Sequence, residues 1–353
     1  MLRRRRDGGS RRPSRDTVAT AATTLVYSLA LGVASVALPL LALEAGYTGV
    51  QVGLLVALSA VSQMLSRIGM GSWMNRLPDW TFVLTAAVLL AVSSATAALT
   101  TAAVPFAVAH LLQGVSRAFF WTGSQTHAVR GSRRAVDGMA VVNLTSAVGL
   151  LAGPVLAGAV GERSLALAMA VAGALAAGGL VPAALLDRLP PFSPPKGSSQ
   201  KRIWHRPGVD AACWAGVSAG AWRGLLGSYV PVALEQARLS TTLIGLLVAV
   251  ANAAQLVGSG AVTRFDRRGL ARSLVAGAVL AGVGTGVIGF VADLPVVAGL
   301  ALGLSGLGAG ALQTAGPAVG VEAVHPQERG AVMAASGTFR AAALLAAPAG
   351  AAA

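Results

Sequence analysis

Four residues of one apolar stretch, His110, Gln113, Arg117 and Trp121, are spaced by 3, 4 and 4 positions. That spacing places them on a single helix face, which Ser124 and Gln125 extend. A guanidinium beside an amide can hold an anion, and an imidazole, with an ordinary pKa of about 6.5, can carry a proton. Arg223 and Arg340 also lie well inside apolar stretches. An arginine at membrane depth costs roughly 2.5–3.5 kcal/mol on insertion scales, so it faces a water-filled cavity or a partner. No Asp or Glu is expected at the same depth: Asp210 and Glu322 fall near one end of their stretches, Glu44 and Glu235 near the other. Unpaired cations of this kind suit an anionic substrate. The alternative is that each arginine bonds carbonyls or polar side chains and only fixes packing. Gly216, Gly220 and Gly227 share the face of Arg223 and leave room around it. Trp222 and Tyr229 flank it, to stack on a substrate ring or to serve as core and interfacial anchor.

The elements that hold these residues must be membrane-spanning helices. Of 353 residues, 55% are hydrophobic and only 11% charged, against about a quarter charged in a soluble domain. The apolar residues fall in blocks of the ~20 residues that a helix needs to cross a bilayer. Eleven spans are expected, near 17–43, 48–70, 81–102, 104–127, 137–160, 164–186, 209–233, 242–262, 271–291, 294–320 and 331–353. The fold class is therefore an all-α polytopic membrane protein.

The net charge of +14 could suggest nucleic acid, but the charges are placed for topology. With residues 1–16 as a basic cytoplasmic tail, 21 Lys and Arg fall on inner segments and their edges and 2, Arg163 and Arg238, on outer loops. The positive-inside rule then puts the N-terminus in the cytoplasm, with the protein in the inner (cytoplasmic) membrane. Anionic lipid headgroups are the expected partners of this basic side, and no nucleic acid is.

The chain also repeats itself. "GLLVALSAVSQ" at 53–63 returns as "GLLVAVANAAQ" at 245–255, an offset of 192. Pro39 answers to Pro231, Glu44 to Glu235, Pro105 to Pro295 and Pro154 to Pro348, at offsets of 192, 191, 190 and 194. A Pro-rich basic linker, 187–208, separates a six-span bundle at 17–186 from a second bundle at 209–353. Two parallel six-helix repeats, related by an axis along the membrane normal, are a transporter architecture with a midplane substrate site.

With the repeat in view, the chain resembles the major facilitator superfamily over nearly its whole length. Residues 71–80, "GSWMNRLPDW", are similar to the family's GxxxDRxGRR, keeping Gly71 and Arg76 with Asn75 in place of the acid. "TRFDRRG" at 263–269 echoes it with Asp266, Arg267 and Gly269. "GLLAGPVLAG" at 149–158 resembles the core of the antiporter motif of exporters, and "HLLQGVSRA" at 110–118 resembles RxxQGxGxA. The resemblance implies a secondary transporter with the first, fourth, seventh and tenth spans around a central cavity. It implies export of a small organic molecule in exchange for protons, by alternating access, with the protein acting as a monomer. His110, Gln113, Arg117, Trp121, Trp222, Arg223, Tyr229 and Arg340 would line the site. Arg76, Asp266, Arg267 and Arg268 would close an inner gate. Gly149, Gly153, Pro154 and Gly158 would form the helix contact of the antiporter motif. The family pattern also predicts a twelfth span, and the chain ends within the eleventh, so a truncated product is expected.

Other chemistries find less support. No P-loop sequence is present and no cofactor is expected. His110, His127, His205 and His325 are scattered without metal spacing, and Cys213 is the single cysteine. An uncoupled facilitator or organic-anion exchanger remains open, since the midplane acid common among proton carriers is missing. So do a membrane-embedded lipid enzyme and a non-transporting scaffold or sensor.

Overall fold

The structure, a computed structural model, describes residues 14–193, 200–226, 229–239, 241–265 and 267–352. It contains α-helices and short 3-10 turns, and no strand among the described residues. In hydrocarbon each backbone N–H and C=O must bond within its own segment, which selects the helix. Five long helices come first: α1 (Arg15–Glu44), α2 (Gly49–Trp73), α3 (Asp79–Leu99), α4 (Ala103–Gly131) and α5 (Ala135–Gly161). The sixth span is α6 (Leu165–Gly178) continued by α7 (Leu180–Ala184). Beyond the linker come α8 (Val209–Leu226), α9 (Tyr229–Gln236), α10 (Thr241–Ala261), α11 (Arg267–Gly286) and α12 (Ile288–Val291). The last two are α13 (Pro295–Glu322) and α14 (Arg329–Ala352).

Local chemistry sets several of the ends. Ser14 accepts from the Thr17 N–H to open α1, and Thr48 with Gln51 forms a reciprocal capping box at α2. Pro295 sits in the first turn of α13, where a missing N–H costs nothing. Ten helices among the described residues are long and apolar enough to cross a membrane. The other expected span, 209–233, corresponds to α8 and α9 on either side of residues 227–228, which lie outside the described residues.

The repeat read in the sequence is a repeat of helix contacts. In the first half α1 packs on α5 and α2 on α4; in the second α8 packs on α14 and α10 on α13. At the α2–α4 contact Gly114 is so close to its neighbour that a Cβ there would fall 2.0 Å from the Ser59 carbonyl oxygen. At the α10–α13 contact a Cβ on Gly306 would fall 2.1 Å from the Ala251 carbonyl oxygen. Both partners in the second contact are displaced by 192 positions from those in the first. Glycine at these crossings lets the backbones approach and gain dispersion contact, the force that joins helices in lipid.

The halves meet through α2 on α14, α4 on α14, and α5 on α10 and α13. Asn143 of α5 donates to the Gln313 carbonyl at 3.1 Å and to Thr314 Oγ1 at 2.9 Å. Arg134 donates to the Thr263 carbonyl at 2.8 Å and also to that of Phe265. Gly71 meets Ala331 with almost no gap. These contacts all fall in the linker-side half of the spans.

Candidate functional site

Arg117, Arg223 and Arg340 are partly buried, each on a different helix, and each bonds an amide side chain. Arg117 donates to Gln113 Oε1 at 3.1 Å, Arg223 to Asn252 Oδ1 at 2.7 Å and Arg340 to Gln313 Oε1 at 2.9 Å. Gln255 donates to the same Gln313 oxygen at 3.2 Å. A fourth arginine, Arg67 of α2, was left out of the site by sequence reasoning and is the most buried, at 6% exposure. It donates to the Gly337 carbonyl of α14. Among the described residues no carboxylate comes within ion-pair distance of any of the four. A guanidinium carries five N–H donors, so these bonds leave it capacity, and the Nε of Arg67 and of Arg117 is buried without a partner. Such an arrangement can bind an anion. The arginine of α2 was legible as an ionisable residue inside a span, but its partner, the Gly337 carbonyl of α14, lies 270 positions away and is brought to it only by folding.

Other expected site residues are placed differently. His110 is 2% exposed with its ring edge-on to Phe106 at 5.4 Å, and Gln113 is also buried. Trp121 packs against Phe120 and Tyr27 rather than standing clear for a ligand. Trp222 is core: it is 2% exposed and donates from Nε1 to Ser305 Oγ at 3.1 Å. A large ring with a polar N–H is most stable where both needs are met, and here the bundle interior meets them. Tyr229 turns its hydroxyl toward Gly289, where a Cβ would lie 2.5 Å away. The enclosed Trp222 ring is therefore not placed to stack on a substrate.

In the antiporter-like segment, Gly149 and Gly153 press on α1: a Cβ on Gly153 would lie 2.6 Å from Gly32 Cα. Gly158 departs from expectation, with open space where its Cβ would be. The Pro154 side chain is outside the described residues. Gly158→Ala is expected to leave thermal stability unchanged, whereas Gly153→Ala lowers it by overpacking, about 1–3 kcal/mol. Melting curves of the two variants in detergent check this pair.

Of the expected gate, Arg76 and Arg268 are exposed and make no ion pair among the described residues. Asp266 and the side chain of Arg267 lie outside the described residues. A buried charge cluster that sequence reasoning missed stands on the same face. His127 of α4 lies between two carboxylates, 2.9 Å from Asp16 Oδ1 and 3.3 Å from Asp79 Oδ1. Arg130 donates to Asp79 Oδ2 and to the Pro190 carbonyl, both at 2.9 Å. Its guanidinium lies 4.5 Å from the centre of the Phe192 ring. Asp16 also accepts the Asp187 N–H at 2.8 Å. The start of the linker is thus tied to the first half, and Phe192 is wedged among Met70, Met74, Phe82, Ala118 and, from the second half, Ala334. Asp16, Asp79 and His127 are 111, 63 and 48 positions apart in sequence at most, joined only by folding.

The sequence matches the Major Facilitator Superfamily over residues 20–348. No curated protein matches the chain. Among solved structures, the human organic anion transporter TETRAN superposes with a TM-score of 0.78 at 19% identity, covering 96% of this chain and 93% of that one. A bacterial homologue of the iron transporter ferroportin, in its outward-facing state, gives 0.73 at 13% identity, covering 96% and 92%. The E. coli fucose:proton symporter gives 0.73 at 13%, covering 93% and 89%. At these identities the likeness is one of fold. Taken with the duplicated helix contacts and the family match over almost all of its length, it makes the chain a transporter of the Major Facilitator Superfamily, not an enzyme.

Proposed function

We propose that this protein is a secondary transporter that moves a small organic anion across the cytoplasmic membrane by alternating access. One observation carries the reading: four interior arginines with no described carboxylate to neutralise them. A cation held in low dielectric by amides and carbonyls alone gains most from an anionic ligand. The fold it shares with an organic anion transporter supports the same reading. The positive-inside rule puts the N-terminus and linker in the cytoplasm. The contacts of Arg134, Asn143 and Phe192 then seal the cytoplasmic side, the inner gate of an outward-facing carrier, with Arg76 and Arg268 at its rim. Export in exchange for protons is the expected cycle, with His110 as proton carrier beside Gln113 and Arg117. The protein acts as a monomer.

Purified protein in liposomes, offered anionic, neutral and cationic probes with and without a pH gradient, tests this. Flux is expected to be anion-selective, accelerated by the gradient, and reduced at least tenfold in Arg223→Ala and Arg340→Ala. His110→Ala should abolish the effect of the gradient while leaving downhill flux. Lipophilic-cation flux that survives both arginine substitutions would contradict the reading. The absence, among the described residues, of a carboxylate paired with the four arginines favours one second reading, an anion exchanger with no proton in its cycle. Flux insensitive to the gradient but stimulated by anion on the far side would select it.

A further inference from the structure

Arg67 changes what the other interior arginines can hold. It comes from α2 in the first half, while Arg223 and Arg340 come from α8 and α14 in the second. Arg67 donates to the Gly337 carbonyl, one turn before Arg340 on the same face of α14. Gly220, one turn before Arg223, abuts α14 so closely that a Cβ would lie 2.2 Å from the Arg340 carbonyl oxygen. The guanidinium of Arg67 and the helix turn that carries Arg223 therefore both come within about a helical turn of Arg340. The polar groups joined to them are the amides of Asn252, Gln255 and Gln313 and the Gly337 carbonyl. Arg67 keeps a buried Nε without a partner.

We infer that Arg67, Arg223 and Arg340 form one anion site bridging the two halves, matched to a small dianion such as a dicarboxylate, inorganic sulfate or a phosphate monoester. The inference rests on the anion reading above and narrows it. A monoanion would leave two of three clustered cations unmatched away from water; a dianion leaves one. Because Arg67 belongs to the opposite half, the occupant also joins the halves at this depth. In its absence like charges face each other across the interface and oppose closure.

The test follows thermal unfolding of the purified protein in sodium sulfate, succinate and benzoate against sodium chloride, at matched ionic strength. Sulfate or succinate is expected to raise the midpoint by several degrees over chloride, and the one that acts tells a tetrahedral oxoanion from a dicarboxylate. Benzoate, a monoanion, should not. Arg67→Gln and Arg340→Gln should erase the shift, and Arg67→Lys, which keeps the charge, should retain part of it. In chloride alone Arg67→Gln should unfold no earlier than the wild type, since it removes one of three like charges. The site is overturned if neither dianion exceeds both chloride and benzoate, or if the shift persists in Arg67→Gln as a general salt effect. A dianion response in a protein that carries no anion across liposomes would sink the transport reading and leave the site. Monoanion transport with no dianion response would do the reverse.

Discussion

Asp79→Ala is expected to lower stability by about 3–5 kcal/mol, the cost of removing one member of a buried ion pair. Asp79 is fully enclosed, and its two oxygens face His127 at 3.3 Å and Arg130 at 2.9 Å. It also accepts the Trp80 N–H at 2.9 Å in the first turn of α3, where a negative charge is favoured. With the carboxylate gone, Arg130 keeps its charge without its carboxylate partner and His127 Nδ1 loses its own, while Asp16 still faces only the other ring nitrogen. Arg130 is also what holds Pro190 and stacks on Phe192, so the seal between the halves should loosen with it. Dye-monitored melting in detergent reads the first effect. Labelling of a cysteine placed beside Phe192 reads the second, and Asp79→Asn, which keeps the shape, should show less of both. A melting curve for Asp79→Ala superimposable on the wild type would show that the cluster carries no stability.

Gly114→Val and Gly306→Val are expected to yield little or no monodisperse protein. In each case the new Cβ would sit about 2 Å from a carbonyl oxygen of the neighbouring helix, at Ser59 and Ala251. Overpacking by side chains costs typically 1–3 kcal/mol; here the obstacle is backbone, which cannot swing aside, so the helices must part. Loss of their close approach removes the dispersion contact on which the bundle depends. Gly282→Val, at a position with open space, is the control and should purify normally. Recovery from size-exclusion chromatography decides it, and equal yields for all three would mean that the helices are not held this close.

The fold was legible because lipid leaves few choices. Long uncharged blocks can only be spanning helices, and the recurrence of "GLLVA" at 53 and 245 marked elements that reappear as α2 and α10 with the same glycine-based partners. In α13 Gly306 and Gly310, one turn apart, both press on α10, where a Cβ would lie 2.1 Å from the carbonyl oxygens of Ala251 and Gln255. Arg117, Arg223 and Arg340 were legible for the same reason as the spans, since a charge inside an apolar block stands out. For Trp222 and Tyr229 the sequence leaves stacking and anchoring both open, because neighbours in sequence say nothing about which side of the helix the bundle occupies; the contacts with Ser305 and Gly289 come from other spans. The His127 cluster was illegible for a related reason. Each member sits at the end of its span, where one charge reads as topology, and only packing brings Asp16, Asp79, His127 and Arg130 together.

The central claim is that the interior arginines bind an anionic substrate, and direct binding tests it before any question of coupling arises. Calorimetric titration of the purified wild type and Arg340→Ala with sulfate, succinate and a lipophilic cation at fixed ionic strength is the measurement. The account predicts saturable binding of an anion, no binding of the cation, and a loss of at least about 30-fold in Arg340→Ala, the equivalent of ~2 kcal/mol for a truncated buried charge pair. Cation binding of equal strength in both proteins, with no anion bound by either, would contradict it and leave the arginines a role in packing alone.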